Sequence, residues 1–137
     1  MVQWQRDYVS DPRSVRDMRA FVREGCRQVW SEMSDDAALE ELELAVSEAA
    51  TNIILHGYHG EPNRPIELAV TVDDDQAQVT FRHLGDDFDP QSVPPPNFDA
   101  SSESGYGMYL IQQSVDEVDY SRDEAGRCGI RLIKHRK

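Results

Sequence analysis

Glu48, Asn52 and His56 stand four residues apart. In a helix four residues span slightly more than one turn, so the three fall along one slowly drifting face. A carboxylate in such a row can orient a hydroxyl or a water, and a carboxamide can coordinate a hard cation such as Mg²⁺. An apolar stripe carrying Ala49 and Ile53 runs beside them. The row is therefore expected to be half buried, where an unpaired carboxylate or amide costs on the order of several kcal/mol and must find a partner or bind something. A solvated polar face is the plain alternative. Two further segments could serve a ligand. In His83-Leu84-Gly85-Asp86-Asp87-Phe88-Asp89-Pro90, Gly85 lets a flat ligand approach the backbone and Phe88 would cap the pocket with apolar surface. In Ser104-Gly105-Tyr106-Gly107-Met108, a Gly-x-Gly at a helix start offers backbone N–H groups and the positive dipole end to phosphate. Neither glycine segment is specific alone. The Rossmann pattern is excluded, because no strand immediately precedes Gly105, no third spaced glycine follows, and there is no βαβ unit; Walker A is absent as well.

The elements that must position these residues follow from periodicity. Trp4 to Val9 reads as a first strand ending at Ser10-Asp11-Pro12. Val15, Met18, Phe21, Val22, Val29 and Trp30 then recur at helical spacing, with Pro12 in the first turn, Ser14 and Asp17 as a local capping pair and Gly25 as a weak point. Ser34-Asp35-Asp36 supplies a cap and dipole-favouring acids for a second helix with the stripe Leu39, Leu42, Val46, Ala49, Ile53, which stops near Gly57. Ile66 to Val72 and Gln76 to Phe81 partly alternate about Asp73-Asp74-Asp75 and predict an antiparallel hairpin. The three aspartates lack EF-hand spacing and read as a plain turn. Gly85 to Ser104 is a long irregular segment of the kind that is functional or disordered. A third helix begins close to Gly107, and Val118 to Ser121 and Ile130 to His135 close the chain as two strands. The order predicts an α+β fold, helices layered on one face of a mixed, mostly antiparallel sheet.

Bulk properties narrow the function. The 137 residues suit one domain, with 39% hydrophobic content adequate for a two-layer fold. A net charge of −12 argues against binding nucleic acid through its phosphates, which takes lysine and arginine patches, and it suits a basic partner or simple solubility. Cys26 and Cys128 have no zinc spacing and are expected as buried, inert thiols rather than a disulfide. With no signal-like start and no run of about 20 apolar residues, the expectation is a cytoplasmic protein that does not enter a membrane.

The order of the three segments is more specific than any one of them. Glu-x₃-Asn-x₃-His on a helix, then a hairpin, a glycine turn, and a long loop ending in Gly-x-Gly resembles the GHKL ATPase superfamily of gyrase, heat-shock chaperones, histidine kinases and mismatch-repair ATPases. Leu44-Ala45-Val46-Ser47-Glu48-Ala49-Ala50-Thr51-Asn52 followed by His56-Gly57-Tyr58, together with Phe88-Asp89-Pro90 and Gly129-Ile130-Arg131-Leu132-Ile133-Lys134, is most similar to the bacterial anti-sigma factor serine kinases. The resemblance runs from about Val9 to Lys134. It implies a Bergerat-type fold, with residues 1–137 as a single histidine-kinase-like ATPase domain and ATP and Mg²⁺ as cofactors. Asn52 would hold Mg²⁺ on the phosphates, and Glu48 would orient or activate a partner's serine hydroxyl. Gly85 would border the adenine pocket that His83 and Phe88 help to form. Gln91 to Ser104 would be the ATP lid, and Gly105 and Gly107, with Tyr106 and Met108 between and beside them, would meet the phosphates. His56 stays open between a hydrogen-bonded structural histidine and a catalytic one. The implied partners are a sigma factor and a STAS-domain antagonist, and the family commonly forms homodimers. A sensor histidine kinase is disfavoured, since no dimerisation helix with a phospho-accepting histidine fits.

The chain departs from the family on the nucleotide side. Where the family places the aspartate that accepts a hydrogen bond from the adenine amino group, this sequence has His83; the second glycine of that turn is Asp87, and a threonine often found after the last strand's glycine is Ile130. A neutral imidazole accepts through one nitrogen, and an imidazolium cannot accept at all. Two readings follow: an ATP-dependent serine kinase that sequesters a sigma factor and phosphorylates its antagonist, or a binding module that keeps the fold with weak or no ATP binding.

Overall fold

The computed structural model of the chain describes residues 1–84 and 106–136, and for residues 106–109 the backbone alone. Its elements are β1 (Val2–Val9), α1 (Ser14–Arg27), a short 3₁₀ turn (Met33–Asp35), α2 (Asp36–Asn52), a π-helical turn (Ile53–Gly57), β2 (Pro65–Val72), β3 (Gln76–His83), α3 (Tyr106–Ser114), β4 (Glu117–Arg122) and β5 (Cys128–His135). The five strands form one sheet in the order β1-β2-β3-β5-β4. Each described neighbour pair is antiparallel, and the helices lie on one face, as the α+β reading expects.

Alternation decides which face. Ile66, Leu68, Val70 and Val72 of β2 point inward with Val79 and Phe81 of β3 and Ile130 and Leu132 of β5, and all are buried. Against them pack Met18, Phe21, Val22 and Cys26 of α1 and Leu39, Leu42, Val46, Ala49 and Ile53 of α2. Each such aliphatic or aromatic side chain contributes roughly 1.5–3 kcal/mol on burial, so this layer supplies most of the driving force for folding. On the other face Glu67 is bridged by Arg82 at 3.3 Å and Arg127 at 3.4 Å, the solvated side of a two-layer fold.

Gly25, the weak point in the first helical pattern, is a point of close approach. A Cβ there would stand 3.2 Å from the Trp4 ring and 3.4 Å from Val70, so its absence seats α1 on β1 and β2. The expected side-chain caps do not form. Arg13 precedes α1 without one, and Asp11 accepts the Arg13 N–H at 2.9 Å instead. The α2 entry is a 3₁₀ turn with no side-chain cap bond. The Asp73-Asp74-Asp75 turn is built by its first member, whose Oδ1 accepts the N–H groups of Asp75 at 2.8 Å and Gln76 at 2.9 Å. Those two bonds hold the Asp73 carboxyl below the usual carboxylate range. Cys26 and Cys128 are both buried and are not joined in a disulfide.

Candidate nucleotide and phosphotransfer site

Side chains at 41, 45, 48 and 52 of α2 recur at i, i+4, i+7 and i+11 and share one flank. Glu41 marks where that flank faces, because Lys134 of β5 donates to it at 2.6 Å. Glu43 lies on the opposite flank, where Arg23 of α1 donates to it at 2.6 Å. Glu48 and Asn52 thus sit on the side of α2 turned towards β5 rather than α1. Glu48 is half-buried and Asn52 is buried at 8% exposure, the mixture a working polar row needs: one group kept in place, one in reach of solvent.

His56 lies beyond the regular part of α2. After Asn52 the helix widens into the π turn, where the Tyr58 N–H donates to Ile53 O at 2.9 Å, five residues back, and the Gly60 N–H to Ile54 O at 2.8 Å. His56 lies in this turn and is exposed, where Asn52 is buried. Such widened turns occur mostly as single turns within helices and frequently at functional sites. The exit is fixed by two left-handed residues, His59 at φ 52° and Gly60 at φ 78°, the second suited to glycine.

His83 ends β3 on the inner face, directly across from Cys128 of β5, and is 2% exposed. Tyr58, 3% exposed, meets its imidazole edge-on with ring centroids 5.7 Å apart at 73°. The Tyr58 hydroxyl accepts the Leu84 N–H at 2.9 Å and donates to the Pro65 carbonyl. The helix end carrying Asn52 and the strand end carrying His83 are thereby linked through one side chain. In the sequence Tyr58 stands out only as a neighbour of His56-Gly57, because nothing local encodes its contacts seven and twenty-six positions away.

Of the other expected site residues, Gly85, Phe88 and Gly105 lie outside the described residues, as does the segment 91–104. Tyr106, Gly107 and Met108 form the first turn of α3, as expected of a helix starting near Gly107. α3 packs on α2 through buried Ile111. Among the described residues the chain offers a carboxylate and a carboxamide on one flank, a buried imidazole at a strand end, and a helix N-terminus at Gly107. That donor set fits a magnesium nucleotide: an amide oxygen for the metal, N–H groups for phosphate, and a carboxylate for a hydroxyl proton.

The family model described as histidine kinase-like ATPase domain matches residues 8–134, and the chain belongs to that family, among its anti-sigma factor kinases. The anti-sigma F factor of Oceanobacillus iheyensis is 31% identical over 111 residues, covering 77% of this chain and 76% of that protein. The anti-sigma F factor of Bacillus cytotoxicus is 32% identical over 101 residues, covering 71% and 69%. The serine-protein kinase RsbW of Bacillus subtilis is 34% identical over 88 residues, covering 58% of this chain and 55% of its own length. No helix among the described residues is long and apolar enough to cross a membrane.

Proposed function

We propose that this protein is a partner-switching anti-sigma factor that acts in the cytoplasm, binds a sigma factor, and phosphorylates a serine of a STAS-domain antagonist with Mg-ATP. The observation that carries the reading is the Glu48–Asn52 pair, one turn apart on the flank of α2 facing away from α1, with one residue half-buried and the other buried. The names of the relatives, an anti-sigma factor and a serine-protein kinase, supply the partner class and the reaction class.

In this reading Glu48 accepts the proton of the partner's serine hydroxyl as its oxygen bonds the terminal phosphorus and the bond to the leaving diphosphate breaks. A positioned carboxylate of this kind contributes about 10²–10⁴-fold. Asn52, held by burial, presents its amide oxygen to the metal, which when bound neutralises charge on the phosphates. The backbone N–H groups at Gly107 and the dipole of α3 favour the same charge. His83 takes the base side, where a neutral imidazole can accept one hydrogen bond.

The test is direct. Purified protein is titrated with Mg-ATP and Mg-ADP by calorimetry, then incubated with Mg-ATP and the cognate antagonist, with phosphoserine read by mass spectrometry. Binding and transfer are expected; the absence of both sinks the kinase reading.

A further inference from the structure

We infer that Tyr58 is a positioning residue for the base side of the nucleotide site, acting through His83 and Leu84; the inference rests on the nucleotide-binding reading above. The register of the sheet shows why such a residue is needed. β3 pairs with β2 and β5 as far as His83, whose partners are Ile66 and Cys128. Leu84 lies one residue beyond the ladder, so its N–H has no strand partner and must be satisfied elsewhere.

The Tyr58 hydroxyl meets that need at 2.9 Å. A phenol has one proton and can also accept. The proton goes to the Pro65 carbonyl at the start of β2, and a lone pair takes the Leu84 N–H. The ring itself fixes the imidazole, standing edge-on to His83 with centroids 5.7 Å apart, and the Arg64 guanidinium lies 5.3 Å from the ring centroid. At the other end the Tyr58 N–H is held by Ile53 O at 2.9 Å. The side chain thus ties the π turn, which follows Asn52 directly, to the two residues at which the chain leaves β3. Deleting the hydroxyl leaves both the Pro65 carbonyl and the Leu84 N–H without this bond and releases the strand end that carries His83. Glu48 and Asn52, on the regular part of α2, keep their positions.

The effect should therefore fall on nucleotide affinity and spare the transfer step. Ser10 provides a control of similar structural weight. It is 1% exposed, donates to Glu61 O at 2.7 Å and accepts the Arg64 N–H at 2.9 Å, bracing the same 58–65 connection without touching β3.

The experiment compares wild type, Tyr58→Phe, Leu84→Pro and Ser10→Ala for melting temperature, Kd of Mg-ATP, and kcat at saturating nucleotide with the antagonist. Tyr58→Phe is expected to weaken Mg-ATP binding about 5- to 20-fold with kcat within about twofold, following the loss of one buried hydrogen-bond partner. Leu84→Pro deletes the same N–H while leaving Tyr58 intact, and should reproduce the loss even if Tyr58→Phe folds poorly. Ser10→Ala should lower the melting temperature and leave Kd within about twofold. Unchanged Kd in both Tyr58→Phe and Leu84→Pro, or parallel weakening in Ser10→Ala, overturns the inference. Failure of the wild type to bind Mg-ATP is seen before any substitution; it removes the nucleotide reading, and this inference with it.

Discussion

The guanidinium of Arg136 grips the carboxylate of Asp35 through two parallel bonds of 2.9 Å each, between residues 101 positions apart. Asp35 is 3% exposed, and the backbone N–H of Arg136 donates to Asp75 O at 2.9 Å. The pair therefore joins the entry of α2, the β2–β3 turn and the end of β5. Paired fork-to-carboxylate geometry is the strong form of an ion pair.

The Arg136 guanidinium holds the Asp35 carboxyl below its ordinary value of 3.8. The folded chain then binds that proton less readily than the unfolded chain, so the stabilisation is present above that ordinary value and is lost as pH falls through the lowered one. Asp35→Asn should lower the melting temperature at pH 7 by on the order of 5 °C or more, and the difference from wild type should shrink at acid pH. A gap that stays constant down to about pH 2 would contradict the pairing argument.

Glu48→Gln keeps the shape of the side chain and removes its basicity. Phosphate transfer to the antagonist should fall by about 10²–10⁴-fold while Mg-ATP affinity changes by no more than about threefold. Transfer at the wild-type rate would remove Glu48 from the chemistry.

His83→Asp places a carboxylate where the family resemblance implies an acceptor for the adenine amino group. Affinity for Mg-ATP is expected to rise by about 5- to 100-fold, corresponding to roughly 1–3 kcal/mol for matching a buried donor, with a parallel gain in preference over Mg-GTP. Calorimetry of the two proteins decides this. An unchanged or weakened affinity would show that His83 already serves the base as well as a carboxylate does.

Much of the architecture was legible in the residues. The β2–β3 hairpin follows from alternation about Asp73-Asp74-Asp75, and the helical stripes of α1 and α2 face the sheet as their spacing predicts. The Glu48–Asn52 pair was legible for the same reason, since four-residue spacing survives wherever the helix stays regular. The π turn that carries His56 was not legible because α and π turns use the same residue types, and Ile53, Ile54 and Gly57 are buried within it. The Asp35–Arg136 pair and the Tyr58 bridge were illegible because their members meet only after the sheet has formed. Gly25 read as a weakness because local propensity knows nothing of the Trp4 ring.

That last point gives a stability test. Gly25→Ala would raise helix propensity by roughly 1 kcal/mol in an open position. Here the new methyl meets the Trp4 ring at 3.2 Å, and overpacking of this kind costs about 1–3 kcal/mol. The net expectation is a loss of roughly 0–2 kcal/mol in chemical denaturation. A clearly stabilised variant would mean that Trp4 yields freely.

The widened turn after Asn52 works as an indexing joint. Upstream of it, side chains are counted in fours; within it the Tyr58 N–H reaches five residues back to Ile53 O, and the Tyr58 side chain arrives over the strand end. Removing one residue from the connection would shorten the span between Asn52 and Pro65 that the Tyr58 side chain bridges. The amide at 52 would keep its place while the phenol lost its reach to the Leu84 N–H. Insertions and deletions in this short stretch should therefore be far less tolerated than its exposed His56 and His59 suggest, because its length, more than its composition, sets the two halves of the site in phase.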